Sequence, residues 1–153
     1  MQRKPKVLFL STGNSSRSQM AEGFLTTMAN GHFEAASTAL QQNGGANPLA
    51  FEVMREVGID ISHQNPKNVQ DSLKEHFAYV ITLSDMAKER SPIFPFTPNL
   101  LHWSLADPSL AKGPKESVKQ TFRGVRDEIG MKVRQFLEEM KQREEREARA
   151  KAA

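Results

Sequence analysis

Cysteine is absent from this sequence of 153 residues, which also holds a single tryptophan and a single tyrosine. A chain without thiols forms no disulfide framework, no zinc site with cysteine ligands and no thiolate nucleophile. Long apolar runs are missing as well, since no stretch approaches the roughly 20 consecutive apolar residues of a membrane-spanning helix. The sequence therefore predicts a small domain that has no membrane span and, as written, no thiol chemistry.

A strong excess of one charge sign is missing too. The chain has 21 basic and 18 acidic side chains, a net charge of +3, and no basic stripe interleaved with aromatic residues. Such a balance favours small anions weakly and does not indicate a nucleic-acid partner. The first residues, MQRKPK, precede an apolar run of only four residues, shorter than the core of a signal peptide. We expect a cytoplasmic monomer with neither a nucleic-acid nor a membrane partner.

Strand and helix patterns alternate along the chain, which is typical of a parallel sheet covered by helices on both faces. The strands are predicted at residues 6–11, 33–38, 79–83 and 100–103. A first helix is predicted over residues 19–28, and a second is capped by Asn47, begins at Pro48 and ends at Gly58. The predicted fold class is α/β, a small doubly wound parallel sheet of four strands.

The last helix is indicated by apolar residues at spacings of three or four, which form one stripe along a helix. They are Val118, Phe122, Val125, Ile129, Val133, Phe136 and Met140. Beyond Met140 the stripe ends, and residues 141–153 are mainly Glu, Arg, Lys and Ala. We predict a single domain over residues 1–140, followed by a charged helical tail over residues 141–153 that frays into solvent.

The most informative segment joins the first strand to the first helix. It reads Ser11, Thr12, Gly13, Asn14, Ser15, Ser16, Arg17 and Ser18. In such a turn the backbone N–H groups, the positive end of the helix dipole and the Arg17 guanidinium converge on one point. The loop is therefore predicted to bind a tetrahedral oxyanion through residues 12–18, with Asn14 holding a left-handed conformation. A plain strand-to-helix turn is the alternative.

This loop resembles the C-x5-R-S loop of low-molecular-weight protein tyrosine phosphatases and, more closely, that of the thioredoxin-coupled arsenate reductases that share their fold. The extension SQMAEG at residues 18–23 favours the reductase branch. Four further stretches are similar to that branch, at residues 47–62, 80–95, 102–108 and 122–129. The likeness covers about residues 6–137 and implies the low-molecular-weight phosphatase-like fold.

The clearest departures from this family concern thiols. Cysteine is expected in the family at the positions of Ser11, Ser16, Ser84 and Ser91, and each is serine here. Replacement by one isosteric residue at four positions favours deliberate removal of thiols over a natural homologue that lacks them. A further departure is Lys67, which stands where some members place a carboxylate that binds potassium. We therefore expect no alkali-cation site, no metal site and no cofactor.

The resemblance implies a role for each of these positions in a parent that carries cysteine. A thiolate at position 11 would attack arsenic, while Arg17 clamps the oxyanion and Asp107 protonates the leaving oxygen. A second thiol, at the position of Ser84, would attack this adduct and release arsenite. A third, at the position of Ser91, would then form a disulfide with the second, which thioredoxin reduces.

As written, the chain cannot run this relay, because a serine hydroxyl is not ionised at neutral pH and forms no disulfide. Oxyanion binding should survive, since Arg17 and the backbone donors remain. Structural interpretations stay open for the other positions: Asp107 can be a turn residue, Ser84 a helix cap and Ser91 a turn serine. The histidines show no metal-ligand spacing, and we expect His102 to pack at a strand end.

Three functions remain, from different classes. The first is an arsenate reductase whose catalytic and relay thiols are replaced by serine. The second is a phosphatase acting on phosphotyrosine or small phosphate esters, which has no need of the pair Ser84 and Ser91 and usually carries more tyrosines than Tyr79 alone. The third is a natural oxyanion-binding protein without catalysis, which serine codons at all four positions of the source gene would favour.

Overall fold

The computed structural model of the chain describes residues 4–13, 16–41, 47–95 and 97–152. The strands are β1 (Lys6–Ser11), β2 (Glu34–Ala39), β3 (Tyr79–Thr82) and β4 (Asn99–His102). The α-helices are α1 (Arg17–Met28), α2 (Pro48–Glu56), α3 (Val69–Ser72), α4 (Asp85–Arg90) and α5 (Lys115–Ala152), and a 3-10 turn covers Pro108–Leu110. The first strand begins and ends where it was predicted. β2 is shifted by one residue towards the C-terminus, β3 ends one residue earlier, and β4 is shifted by one residue towards the N-terminus.

The four strands form one parallel sheet in the order β2-β1-β3-β4. Leu10 pairs with Thr82, and Thr82 pairs with His102, so the carboxyl ends of β1, β3 and β4 lie side by side. The central strand β1 has a continuous apolar run, residues 7–10, with no exposed surface, as expected for a strand covered on both faces. The predicted doubly wound α/β fold is confirmed.

Two apolar layers cover the sheet. On one face α1, α2 and α5 pack in a cluster that includes Phe9 and Ile81 of the sheet. The chain's one tryptophan, Trp103, follows β4 and packs against this cluster, with its ring centroid 5.9 Å from that of Phe9. On the other face Leu8 and Val80 contact a smaller cluster that includes residues 77 and 94. The alternation along β1 and β3 thus assigns successive side chains to opposite layers.

The long helix α5 presents the predicted apolar stripe to the first layer. Its buried side chains include Phe122, Ile129 and Phe136. Gly130 allows α1 to approach closely, because a Cβ atom there would lie 3.1 Å from the ring of Phe24. Beyond Met140 the helix continues to Ala152 with its side chains exposed. None of the helices in the described part of the chain combines the length and the apolar content that a membrane span requires.

Charged side chains join the end of α2 to α5. Glu56 accepts hydrogen bonds from Arg123 Nη2 at 2.8 Å and from Arg126 Nη1 at 2.8 Å. Arg126, which is buried, also donates to the Val53 carbonyl at 3.0 Å, so it satisfies the open end of α2. The hydrogen bond from Arg123, with a smaller contribution from Arg126, lowers the pKa of Glu56 from 4.5 to about 2. The carboxylate of Glu56 is therefore ionised throughout the ordinary pH range.

We predict that Glu56→Gln lowers the denaturant midpoint at pH 7 and that this difference shrinks as the pH falls from about 5 towards 2. The folded state lowers the pKa of Glu56, so the stabilisation is complete above the ordinary pKa of 4.5 and is lost as the folded carboxylate is protonated near pH 2. Urea unfolding followed by circular dichroism at several pH values measures the effect. Glu145→Gln, on the exposed part of α5, is the matched control. An unchanged midpoint for Glu56→Gln at pH 7 would contradict the prediction.

Candidate functional site

The predicted oxyanion loop lies at the carboxyl edge of the sheet, after the central strand β1. The strand order places β2 on one side of β1 and β3 on the other, so the chain connections diverge at this point. In open α/β sheets ligands bind in the crevice that such a divergence leaves. β1 ends at Ser11 and α1 begins at Arg17, and residues 14 and 15 lie outside the described residues.

Glycine is required at position 13 on two grounds. Gly13 has a φ of +128°, which side-chain-bearing residues rarely adopt. A Cβ atom there would also overlap the carbonyl oxygen of Gln41. Gln41 N–H in turn donates to the carbonyl of Thr12 at 3.1 Å, which ties the loop to the chain leaving β2. The start of the loop is therefore fixed by backbone contacts.

Ser16 closes the other side of the loop. It has a φ of +61°, so Ser16 adopts the left-handed conformation in the described part of the loop. This role was predicted for Asn14, which lies outside the described residues. The Ser16 hydroxyl accepts a hydrogen bond from the Asn47 backbone N–H at 2.7 Å. Asn47 also caps α2, accepting from the Leu49 N–H at 2.9 Å, so α2 and the loop share one anchor.

Ser11, at the position predicted for the nucleophile, contacts two groups of Ser18. Ser11 is fully buried, and its hydroxyl donates to the Ser18 hydroxyl at 2.9 Å. The Ser18 backbone N–H points to the same Ser11 oxygen at 3.4 Å. A hydroxyl and an N–H at these places are the donors that would stabilise an anion on the side chain of residue 11. The side chain itself, a serine hydroxyl, has no such ionisation near neutral pH.

Arg17 is the cation of the site, and it is 2% exposed. Its Nη1 donates to the Leu105 carbonyl at 2.9 Å, and its Nη2 lies 3.7 Å from Asp107 Oδ2. Burial lowers the pKa of Arg17 from its ordinary value, and the Asp107 carboxylate acts in the opposite direction. Nε has no hydrogen-bond partner within the described ranges. A buried donor without a partner is unfavourable, so an acceptor at the loop would relieve it.

Asp107 caps a turn, as its structural interpretation predicted, and it also faces Arg17. One carboxylate oxygen accepts from the Ser109 N–H at 2.9 Å and from the Ser109 hydroxyl at 2.6 Å, which caps the 3-10 turn. The other oxygen faces Arg17. The turn therefore aims a carboxyl group at the guanidinium, where a general acid would stand next to a bound oxyanion.

Ser84 and Ser91, which were predicted as relay positions, lie at opposite ends of α4. Ser84 is the N-cap of α4 and accepts from the Ala87 N–H at 3.0 Å, as its structural interpretation predicted. The same hydroxyl lies 2.8 Å from Thr12 Oγ1, in the oxyanion loop. Ser91 follows the last residue of α4, and its hydroxyl donates to the Pro92 carbonyl at 3.1 Å. The structure thus brings position 84 to the loop and leaves position 91 at the far end of the helix.

A hydrogen-bonded group beside the loop was not predicted from the sequence. His102 was expected to pack at a strand end, but its Nε2 lies 3.0 Å from Asp85 Oδ1 and its Nδ1 lies 2.7 Å from Thr82 Oγ1. The Ser104 hydroxyl donates to the same Asp85 oxygen at 2.9 Å. These hydrogen bonds, that of His102 first, lower the pKa of Asp85. The signal that could have indicated this group is that Thr82 and His102 each end a strand and that these two strands are neighbours in the sheet.

A half-buried carboxyl group, that of Glu22, lies near Lys67. Glu22 accepts a hydrogen bond from the Ser37 hydroxyl at 2.7 Å, and burial raises its pKa. The Lys67 ammonium lies 3.0 Å from Glu75 and also acts on Glu22, whose pKa it tends to lower. Over the described residues, no three His, Asp or Glu side chains are grouped so that they could hold a metal ion.

Comparison with known proteins relates this fold and loop to one family. A profile of the low molecular weight phosphotyrosine protein phosphatase family matches residues 6–146. An arsenate reductase of Shouchella clausii (strain KSM-K16) is 40% identical over 135 residues, which make up 88% of this chain and 96% of that protein. An arsenate reductase of Bacillus subtilis (strain 168) is 37% identical over 132 residues, 86% of this chain and 94% of that protein.

Solved structures give the same relation. An arsenate reductase in the oxidized state has a TM-score of 0.75 at 32% identity, covering 90% of this chain and 98% of that chain. An arsenate reductase in the phosphate binding state has a TM-score of 0.72 at 30% identity, covering 88% and 98%. Sequence and structure therefore relate nearly the whole described fold to these proteins.

We predict that Gly13→Ala destroys the loop without unfolding the domain, because the added methyl group meets the Gln41 carbonyl and φ is unfavourable. Binding of sulfate or arsenate, measured by calorimetry, should fall by about tenfold or more, which corresponds to at least ~1.4 kcal/mol. Gly113→Ala is the control, since Gly113 also has a positive φ of +116° but open space around it. Equal anion affinity in Gly13→Ala and the unchanged chain would contradict the prediction.

Proposed function

Because the chain belongs to the low molecular weight phosphotyrosine protein phosphatase family, in its arsenate reductase branch, we propose that its fold serves the reduction of arsenate to arsenite by three thiols and that this chain binds the oxyanion without turning it over. The observation that carries the proposal is the hydrogen bond of 2.8 Å between Ser84 and Thr12. It brings the second relay position to the residue that follows the nucleophile position. A phosphatase requires no such neighbour.

Oxyanion binding rests on donors that do not depend on the thiols. The Arg17 guanidinium is buried at the start of α1 with Nε unpartnered among the described residues, and the N-terminus of α1 adds its dipole. An oxyanion that accepts from Nε gives the guanidinium a charged partner in a buried place, where such a hydrogen bond is strong. The similar arsenate reductase solved in the phosphate binding state supports this part of the proposal.

In a form with cysteine at position 11, the first step is attack of the thiolate on arsenic. An As–S bond forms, an As–O bond breaks, and the oxygen leaves as water with a proton from Asp107. The Ser18 hydroxyl and N–H, at 2.9 and 3.4 Å from the side-chain oxygen of residue 11, would stabilise the thiolate before attack. Arg17 would hold the charged oxygens throughout.

The second step transfers two electrons to arsenic. A thiolate at position 84 attacks the sulfur at position 11, an S–S bond forms, and the As–S bond breaks so that arsenic leaves as arsenite. The hydroxyl of Thr12, placed beside Ser84, would donate a hydrogen bond to that thiolate and favour its ionised form. Ser84 is also the N-cap of α4, so the helix N-terminus acts in the same direction.

The third step joins positions 84 and 91 and requires α4 to open. These residues flank a helix of six residues, so their Cα atoms lie about 10 Å apart along the axis. A disulfide needs a separation below about 7 Å. A thiolate at position 91 would attack the sulfur at position 84 and release the thiolate at position 11, and a thioredoxin would then reduce the new disulfide. Thus α4 is the element that moves in each cycle.

The serines disable this sequence of steps and leave the geometry in place. A hydroxyl at position 11 is not ionised, and hydroxyls at positions 84 and 91 form no disulfide, so turnover should be absent at neutral pH. We propose that they replace cysteines of a thiol-bearing parent that acts as a cytoplasmic monomer with thioredoxin as its reductant. A natural homologue without thiols is the alternative, and the codons of the source gene distinguish the two.

We predict that the unchanged chain binds sulfate and arsenate weakly and that Arg17→Ala reduces the affinity at least tenfold. Loss of a hydrogen bond to a charged group costs about 1.5–3 kcal/mol, which is a factor of about 10 to 150. Isothermal titration calorimetry measures the affinity, and Arg134→Ala, on the exposed face of α5, is the control with the same charge change. If Arg17→Ala bound as tightly as the unchanged chain, the site would be assigned wrongly.

We also predict that the combined substitutions Ser11→Cys, Ser84→Cys and Ser91→Cys create arsenate-dependent consumption of reductant in the presence of thioredoxin. The unchanged chain should show none. A variant that keeps Ser91 should release about one arsenite per chain and then stop, because the final disulfide cannot form. Hydrolysis of phosphate esters without arsenate turnover in the triple variant would favour the phosphatase function, and inactivity in both assays would favour a simple oxyanion binder.

A further inference from the structure

Three side chains next to the oxyanion loop have no part in the steps above. Asp85, His102 and Ser104 form one hydrogen-bonded group, here named the α4 clamp. Asp85 is the first residue of α4, whereas the other two belong to the end of β4 and the residues that follow. Asp85 Oδ1 accepts from the Ser104 hydroxyl at 2.9 Å and lies 3.0 Å from His102 Nε2. The clamp therefore joins the first turn of α4 to the sheet.

His102 is itself fixed by a second bond. Since an ionised Asp85 has no proton to donate, His102 Nε2 must carry the hydrogen between them. The other ring nitrogen, Nδ1, lies 2.7 Å from Thr82 Oγ1, a buried group at the end of β3. Both ring nitrogens of His102 thus have a hydrogen-bond partner, which fixes the orientation of the ring and of the Asp85 carboxylate that it contacts.

The segment after β4 that carries Ser104 also touches Arg17. Leu105 donates its N–H to the Leu83 carbonyl at 3.2 Å, next to Ser84 in the chain. Its own carbonyl accepts from Arg17 Nη1 at 2.9 Å. Residues 102–105 are therefore attached to α4 through Asp85 and to the oxyanion site through Arg17.

We propose that Asp85 is a positioning residue that couples oxyanion binding at Arg17 to the opening of α4, through residues 102–105. The proposal rests on the proposed function, because the oxyanion is the ligand of that site and α4 carries the relay positions. A bound oxyanion accepts from Nε of Arg17, leaves Nη1 on the Leu105 carbonyl, and so steadies the segment that holds Asp85. By reciprocity, loss of the Asp85 contacts weakens oxyanion binding.

This coupling gives the relay an order. While arsenate or its adduct occupies the loop, α4 stays closed and position 84 stays beside Thr12, where the second step needs it. When arsenite has left, the loop holds no anion and α4 opens more readily, which is the moment when positions 84 and 91 must meet. Opening before the second step would withdraw position 84 from the adduct.

A simpler role for Asp85 is that of an acidic residue in the first turn of a helix, which favours the helix through the dipole. The chain offers a matched case, since Asp71 occupies the first turn of the short helix α3. A carboxylate that acts only on its own helix changes the stability of that helix. It does not make the opening of the helix depend on an anion bound at Arg17.

The test is hydrogen–deuterium exchange of residues 85–90, with and without saturating sulfate, together with calorimetry of sulfate binding. In the unchanged chain sulfate should slow exchange in α4 about threefold or more. Asp85→Ala should speed exchange without sulfate, abolish the sulfate effect and weaken sulfate binding three- to tenfold. Ser104→Ala should have the same effects as Asp85→Ala, but smaller ones. Asp85→Asn should retain part of the coupling through its remaining acceptor oxygen. Asp71→Ala, the control, should behave as the unchanged chain.

The outcomes separate this proposal from the proposed function. If sulfate binds but leaves α4 exchange unchanged, or speeds it, the coupling is wrong and oxyanion binding stands. A sulfate effect that persists in Asp85→Ala also overturns the coupling through Asp85. If sulfate does not bind, the proposed function fails, and Arg17→Ala decides the coupling without any anion: it should speed α4 exchange at least threefold, and an unchanged rate overturns the proposal.

Discussion

The site depends on one buried cation. Taking a guanidinium out of water is unfavourable by several kilocalories per mole unless hydrogen bonds and opposite charge replace the lost solvation. The fold supplies the Leu105 carbonyl and the Asp107 carboxylate to Arg17, and both come from the chain that follows β4. They leave Nε without a partner among the residues that the structure describes. An oxyanion that accepts from Nε would supply the partner that the described residues do not.

At the positions proposed for thiols, serine keeps the geometry of the side chains and lacks the reactivity of a thiol. The hydroxyl of Ser11 contacts Ser18, and that of Ser84 contacts Thr12, so each side chain lies where a thiol of nearly the same shape would lie. What is lost is electronic, since a hydroxyl lacks both the accessible ionisation and the capacity to form a disulfide. Under the proposed function the chain would keep the donors for an oxyanion, which lie on Arg17 and the backbone, and would lack the chemistry of the first step.

Local patterns in the sequence were sufficient for the strands and the long helix, which follow from apolar periodicity. They also placed a loop with glycine and arginine between the first strand and the first helix. The contacts between segments were not predictable in this way. That Thr12 meets Ser84 follows from the pairing of β1 with β3, and that His102 meets Asp85 follows from the pairing of β3 with β4. A histidine at a strand end gives no local sign of its partner, so packing was expected where a hydrogen-bonded group is found.

Trp103 adds a property that no other residue of the chain shares. It is the single tryptophan, and it lies between His102 and Ser104 with its ring against Phe9 of the central strand. Indole emission depends on the polarity and mobility of its surroundings, so the tryptophan emission of this chain originates from the segment of residues 102–105 alone. Trp103 is thus a natural fluorophore within residues 102–105, and its emission reports on this segment in solution without chemical labelling.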